Sequence, residues 1–353
     1  TDIALEGKSV YFESFLWDQP VEVSSGRIVN LRVPEVTMTM DENNVITNIT
    51  PTGFDIYENA RRVVIMPQVD ACEMSEGDYT FGLLYKQGFE TQGGPSDMYV
   101  RLNRGVTYDT FEDTAANISA RETVYDDEGK VVSVSWSEDN LLDQSYDNEI
   151  DNTFSPRGWL RGSEIYNGFE YTPNWRQTAQ GTTPNDFWIH RYVDGAWQGP
   201  QQITNVRGPQ VSTLDPRFIP TPKGSDTSLA SDASNPDVLF MSYGTFDMES
   251  GHELDLYYSR STDKGANWEY FLADGTTLVT APGIDAIADN EDDEYRFAKL
   301  AHKAYPTEEK EVQALASPDG SMLFNAWLRE SPEDYVDGGN EGGLESLDRK
   351  SVV

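Results

Sequence analysis

Three histidines occur among the 353 residues, and one of them, His190, stands two positions after Trp188 in the run Asn185-Asp186-Phe187-Trp188-Ile189-His190-Arg191-Tyr192. The run reads as a β-strand, in which residues i and i+2 project from one face roughly 7 Å apart. An imidazole offers a nitrogen lone pair near neutral pH and is a common metal ligand, whereas an intact indole offers a π face and an N–H donor but no lone pair. Trp188 and His190 are therefore expected to line one small site. The other two imidazoles are His252, in the loop Asp247-Met248-Glu249-Ser250-Gly251-His252, and His302, in the polar stretch Ala298-Lys299-Leu300-Ala301-His302-Lys303.

An internal repeat places this pair. Asp97-Met98-Tyr99-Val100-Arg101-Leu102, Asp186-Phe187-Trp188-Ile189-His190-Arg191 and Asp255-Leu256-Tyr257-Tyr258-Ser259-Arg260 align without gaps and run on into turns. Where the other copies carry Tyr and Arg or Ser, the middle one carries Trp188 and His190, so that face departs from the scaffold's default. His252 comes three residues before the third copy, at the mouth of the equivalent strand, and equivalent positions in neighbouring repeats can converge.

The elements that must position these residues are short strands. Period-2 runs such as Val131-Val132-Ser133-Val134-Ser135-Trp136 alternate with turn signals such as Asp126-Asp127-Glu128-Gly129, and helical periodicity is nearly absent. Such spacing predicts an all-β fold, β-propeller-like, with the number of blades left open. Residues 1–330 read as a single domain of this kind. Residues 331–353, Gly-rich and acidic, read as a flexible tail.

The charge balance is extreme, with 61 acidic against 26 basic residues and a net charge of −35. Such a surface repels phosphate backbones, which argues against a nucleic-acid partner, and it concentrates cations. No run of about 18 apolar residues is present to span a membrane as a helix. The acidity and a start at Thr1 lead to the expectation of a processed, secreted or cell-surface chain. A single cysteine, Cys72, allows no internal disulfide and reads as structural. The acidic loops 139–152 and 284–293 supply the crowded oxygens that calcium takes, without the spacing of an EF-hand, and Met38-Thr39-Met40 sets two thioethers on one strand face.

Ser261-Thr262-Asp263-Lys264-Gly265-Ala266-Asn267-Trp268 resembles the Asp box, Ser-x-Asp-x-Gly-x-x-Trp, of sialidase-like propellers, a folding element in which aspartate and glycine fix a hairpin over a buried tryptophan. Asp194-Gly195-Ala196-Trp197 and Ser317-Pro318-Asp319-Gly320 are degraded versions of it. Residues from about Gly168 to Arg329 are similar to the secreted choice-of-anchor O group, through Tyr171-Thr172-Pro173-Asn174-Trp175, Leu254-Asp255-Leu256-Tyr257-Tyr258-Ser259 and Ser317 through Leu328. Trp188-Ile189-His190 resembles the Trp-x-His element of the MopE/CorA family of methanotroph copper proteins.

That last resemblance implies a copper site in an outer-membrane-associated surface protein. Trp188 would be oxidised to kynurenine, His190 would be the first imidazole, and His252, rather than His302, the second. Two imidazoles with a weak third ligand suit copper, Cu(I) in particular. An intact Trp188 could instead lay its π face over the cation. Two other readings stay open. One is a structural or adhesive surface protein in which Trp188 and His190 only pack. The other is a sialidase-like glycoside hydrolase, which needs a carboxylate pair or an arginine cluster gripping a substrate carboxylate. Arg217-Phe218-Ile219-Pro220 faintly resembles the sialidase Arg-Ile-Pro element, with one residue too many and too late in the chain.

Overall fold

The computed structural model describes residues 60–69, 77–88, 95–104, 111–112, 114–124, 126–127, 132–143, 151–175, 185–204, 206, 213–222, 235–245, 255–271, 276–283 and 311–329 with their surroundings, and the backbone path of the further strand residues named below. Cys72 and the acidic loop 284–293 lie outside the described residues, as do 331–353.

Among the described residues the first strands are β1 (Tyr11–Phe12), β2 (Val21–Glu22), β3 (Asn30–Leu31), β4 (Glu35–Met40), β5 (Ile46–Gly53) and β6 (Ile56–Tyr57). They pair β1 with β2, β3 with β6, and β4 with β5. The side chains of Met38 and Met40, on β4, lie outside the described residues.

Three four-stranded antiparallel sheets follow. The first holds β7 (Asn59–Pro67), β8 (Tyr79–Gly88), β9 (Ser96–Arg104) and β10 (Ala116–Asn117). A hairpin of β11 (Glu122–Tyr125) and β12 (Val131–Ser135) leads through a 3-10 turn, Glu138–Leu142, to the second. This turn occupies the head of a segment expected to be loop; Ser137 and Asn140 close it reciprocally, which accounts for a local helix in a chain of strands.

The second sheet holds β13 (Asn152–Arg161), β14 (Glu164–Thr172), β15 (Asp186–Val193) and β16 (Ala196–Gln202). The third holds β17 (Val211–Pro220), β18 (Leu239–Asp247), β19 (Glu253–Ser261) and β22 (Lys299–His302), with the hairpin β20 (Trp268–Phe271) and β21 (Leu278–Ala281) between the last two. The final pair is β23 (Glu308–Ala316) and β24 (Leu323–Glu330). The fold is all-β and propeller-like.

The three repeat copies are the third strands β9, β15 and β19. Their opening aspartates have a structural use. Ser119 Oγ donates to Asp97 Oδ1 (2.6 Å) while accepting from Met98 N (2.9 Å). Thr204 Oγ1 likewise donates to Asp186 Oδ1 (2.7 Å) and accepts from Phe187 N (2.8 Å). Each clasp ties the start of a third strand to the chain leaving the fourth.

A second repeat is invisible in residue types. In β7, β13, β17 and β23 the register with the following strand skips two residues, after Arg61, Phe154, Leu214 and Lys310. The first residue skipped has positive φ in all four: Arg62 (52°), Ser155 (44°), Asp215 (46°) and Glu311 (55°). Such bulges redirect side chains and recur beside functional sites. β13 packs against β7 and β17, and β17 against β23, so the four bulged strands lie side by side.

The Asp box forms as expected. Ser261 Oγ and Asn267 N both donate to Asp263 Oδ1 (2.8 Å each), and Gly265, at φ 81°, adopts the left-handed turn. Trp268 is buried beneath it, its Nε1–H donating to the Gly265 carbonyl (3.0 Å).

Candidate functional site

Strand β15 is buried on both faces. Phe187 and Ile189 pack with Phe218, Leu239 and Trp268 of the third sheet and its hairpin, whereas Trp188 packs with Met98, Ile118 and Phe169 on the side of the first sheet. By the strand's alternation His190 shares the face of Trp188. Trp197, which meets the His190 ring, also packs against the cluster that holds Trp188.

A cation lies against the Trp188 ring. The Arg121 guanidinium carbon lies 3.8 Å from the Trp188 ring centroid and 3.5 Å from that of Tyr171. Tyr171 meets Trp188 edge-on at 5.5 Å. A planar, weakly hydrated guanidinium is the protein cation that stacks most readily on an indole face.

His190 is 0 % exposed. Its Nδ1 lies 2.8 Å from the carbonyl oxygen of Ile118. A carbonyl can only accept, so the proton sits on Nδ1 and Nε2 carries a bare lone pair. Burial, with a smaller push from Arg191, lowers the imidazole to about 4, so it is neutral at pH 7.

Nε2 has no hydrogen-bond partner. Directly across on β14 stands Asn167, 0 % exposed, with neither its amide oxygen nor its amide nitrogen partnered. Paired residues of antiparallel strands project from the same face with Cβ atoms about 5 Å apart. Trp136 meets the imidazole edge-on at 5.0 Å, and its own Nε1–H is buried without a partner. Trp197 also meets the imidazole edge-on, at 4.8 Å. Gly199, at φ 74°, admits Trp136 onto β16, since a Cβ there would lie 3.1 Å from the indole.

Buried polar groups are nearly always satisfied, by protein, water or ion. Here His190, its cross-strand neighbour Asn167 and Trp136 at its ring edge leave a lone pair, an amide and an indole N–H unsatisfied. An imidazole fixed through Nδ1 on a carbonyl, with Nε2 free, is also the arrangement by which metal-bound histidines are oriented. The residues present therefore fit a metal at His190 to the extent of one imidazole nitrogen and one amide oxygen.

The second imidazole is not fixed by these contacts. His252 lies outside the described residues; the strand it precedes, β19, belongs to the sheet packed on the opposite face of β15. His302 is placed by its backbone alone, paired with Leu256 of β19. Among the described residues no group of three or more His, Cys, Asp or Glu side chains is arranged around a metal position. In the acidic loop 139–152, Asp143 accepts from Asn140 Nδ2 (2.8 Å), and Asp151 is fully buried, its carboxyl held well above the usual range by burial and by Asp97. Residues 144–150 lie outside the described residues.

A second cluster occupies the bulges of β13 and β17. Asp215 accepts from both Arg157 Nη2 (2.7 Å) and Arg217 Nη2 (2.7 Å), and Arg217 Nη1 reaches its other oxygen. Arg157 Nε and Nη1 also donate to the Pro216 (2.6 Å) and Pro156 (2.9 Å) carbonyls. Burial and the facing Arg217 charge lower the pKa of Arg157. Beside them Glu170, 6 % exposed, accepts from Ser155 Oγ (2.8 Å) through Oε2, while Oε1 has no partner. Burial outweighs the pull of Ser155 and Arg157 and pushes its carboxyl up to about 7. Sequence reading passed over this cluster, treating Arg217 as an imperfect and misplaced motif; the recurring Pro156 and Pro216 after Ser155 and Asp215 were its available signal.

No family model matches the chain, and no curated protein matches it significantly. Among solved structures it is similar to an ulvan lyase of polysaccharide lyase family PL25, with 12% identity and TM-score 0.38, over 81% of this chain and 54% of that one. It is similar to a Trypanosoma rangeli sialidase in complex with sialic acid, with 12% identity and TM-score 0.33, over 86% of this chain and 40% of that one. An N-acetylgalactosamine deacetylase from F. plautii, in complex with blood group B trisaccharide, aligns at 13% identity and TM-score 0.33, over 82% and 68%. The chain thus spans about half the length of the lyase or less than half that of the sialidase. Among the described residues no helix is long and apolar enough to cross a membrane.

Proposed function

We propose that the chain is a copper-binding protein of the cell surface or secreted fraction, in which His190 Nε2 is the first ligand. The observation that carries this reading is the buried, neutral imidazole, tethered through Nδ1 to Ile118 and leaving an unpartnered lone pair beside Asn167 and Trp136. In this reading His252 brings the second imidazole, with His302 as the other source. Copper held there would supply, with dioxygen as the oxidant, the chemistry for converting Trp188 to kynurenine. The chain's own residues hold the imidazole in one tautomer, exclude water with Trp136 and Trp197, and keep the cationic Arg121 against residue 188. The acidic surface raises the local concentration of cations.

Two measurements on the isolated protein test this. Metal analysis after oxidising and reducing preparation should find copper, lost in His190→Gln with the far-UV circular dichroism unchanged. Mass spectrometry of the peptide spanning residues 176–207 should find residue 188 lacking one carbon and carrying one added oxygen. Copper absent in both redox states, with Trp188 intact, leaves a structural surface protein in which water satisfies His190, Asn167 and Trp136.

A further inference from the structure

Lys86, on β8, is 0 % exposed. Its Nζ donates to Asn152 Oδ1 (2.8 Å), an oxygen that also accepts from Ser96 Oγ (2.6 Å), and lies 4.2 Å from the centroid of the Phe154 ring. Directly across on β7 stands Arg61, a second basic residue on the same face, and the Arg62 guanidinium carbon lies 5.6 Å from the Phe154 centroid. Like charges opposed across a strand pair destabilise a sheet, so in a chain of net charge −35 this pairing calls for a physical reason. Burial, reinforced by Arg61 and Arg62, lowers the Lys86 amine to about 6, which leaves it an uncharged nucleophile at pH 7. An ordinary lysine holds about a thousandfold less free amine at that pH. Phe154, against which the amine rests, is half-buried and Arg62 is exposed, so a small molecule has a short approach from solvent.

We propose that Lys86 is a site of reversible carbamylation by carbon dioxide, with Arg61 as the counter-charge of the carbamate formed. The amine lone pair attacks the carbon of CO2, an N–C bond forms as one C=O π pair moves onto oxygen, and the proton shed by nitrogen passes to solvent. One amine and one CO2 thus give one carbamate anion and one proton, with no oxidant or further reactant. The conversion places an anion opposite the Arg61 guanidinium, whose planar fork matches the two oxygens of a carboxylate-like group. The N–H that remains on the carbamate nitrogen keeps the hydrogen bond to Asn152 Oδ1. Carbon dioxide is small, linear and uncharged, which suits a fully buried amine; a sugar or a peptide would not reach it.

The test is incubation of the full chain with isotope-labelled bicarbonate at pH 7, with two readouts. One is the carbamate carbon signal in NMR. The other is mass spectrometry after trapping with a trialkyloxonium salt, which turns the carbamate into a stable alkoxycarbonyl group on a peptide that trypsin leaves uncut at residue 86. Lys86 should carry at least about tenfold more adduct than any other lysine, as its larger share of free amine requires. Lys86→Met should remove that one signal and leave any signal of the chain's α-amino group. Arg61→Gln should lower the occupancy of Lys86 by about tenfold, as loss of a charged hydrogen-bond partner does. If Lys86→Met does not fold, peptide mapping of the wild type decides. No adduct at residue 86, adduct spread evenly over the lysines, a signal unchanged in folded Lys86→Met, or occupancy unchanged in folded Arg61→Gln overturns the proposal.

Discussion

Glu170 and His190 make opposite and nearly equal contributions to the pH dependence of stability. Glu170 moves from an ordinary 4.5 to about 7 on folding, so the folded chain holds its proton more tightly and stability falls as pH rises through that window. With those values the penalty grows from about 1 kcal/mol at pH 5 to about 3 kcal/mol at pH 7. His190 moves from 6.5 down to about 4, so the unfolded chain holds its proton more tightly and stability is lost as pH falls through that window. Its penalty is near zero at pH 7 and about 2 kcal/mol at pH 5. In the wild type the two terms offset each other between pH 5 and 7. Glu170→Gln keeps an acceptor for Ser155 and removes one leg alone. Relative to wild type it should gain about 2 kcal/mol more at pH 7 than at pH 5, read from urea unfolding at each pH; the remaining carboxylates cancel in the difference. A variant-minus-wild-type difference that does not change with pH would refute the assignment of a protonated carboxyl to Glu170.

Other substitutions report on single features. Arg121→Ala should destabilise by about 1–2 kcal/mol and shift Trp188 fluorescence, because it removes the guanidinium stacked between two rings. Thr204→Val should destabilise by about 1–3 kcal/mol in thermal or urea unfolding, since it leaves Phe187 N and one Asp186 oxygen without the shared hydroxyl. Asp263→Ala should loosen the β19–β20 turn, lowering the unfolding midpoint by an amount equivalent to about 1–2 kcal/mol while leaving copper content at wild-type level.

The scaffold was legible in the sequence where side chains enforce it. The gapless repeat at Asp97, Asp186 and Asp255 marks three equivalent third strands because the first two aspartates fasten each strand to a hydroxyl downstream. The Asp box was legible because its hydrogen bonds need those residue types at those positions. The bulge row was not, since Arg62, Ser155, Asp215 and Glu311 share a backbone conformation and no side-chain chemistry. Asn167 and Trp136 escaped notice for a related reason: each comes to His190 through strand pairing or packing across more than twenty residues of sequence, which no local spacing encodes. Trp188 and His190 were placed on one face correctly, but a strand's alternation carries no information about Arg121, which arrives from another element to cover the indole.

The covering of that indole makes residue 188 a reporter of where an oxidant originates. Its ring is 7% exposed and roofed by a guanidinium, whereas Trp136 and Trp197 are only half-buried. Reactive species arriving from bulk solvent would encounter those two rings first and leave a scattered pattern of damage. Modification confined to residue 188 would require electrons to be withdrawn from inside the wall of the sheet, within reach of one imidazole.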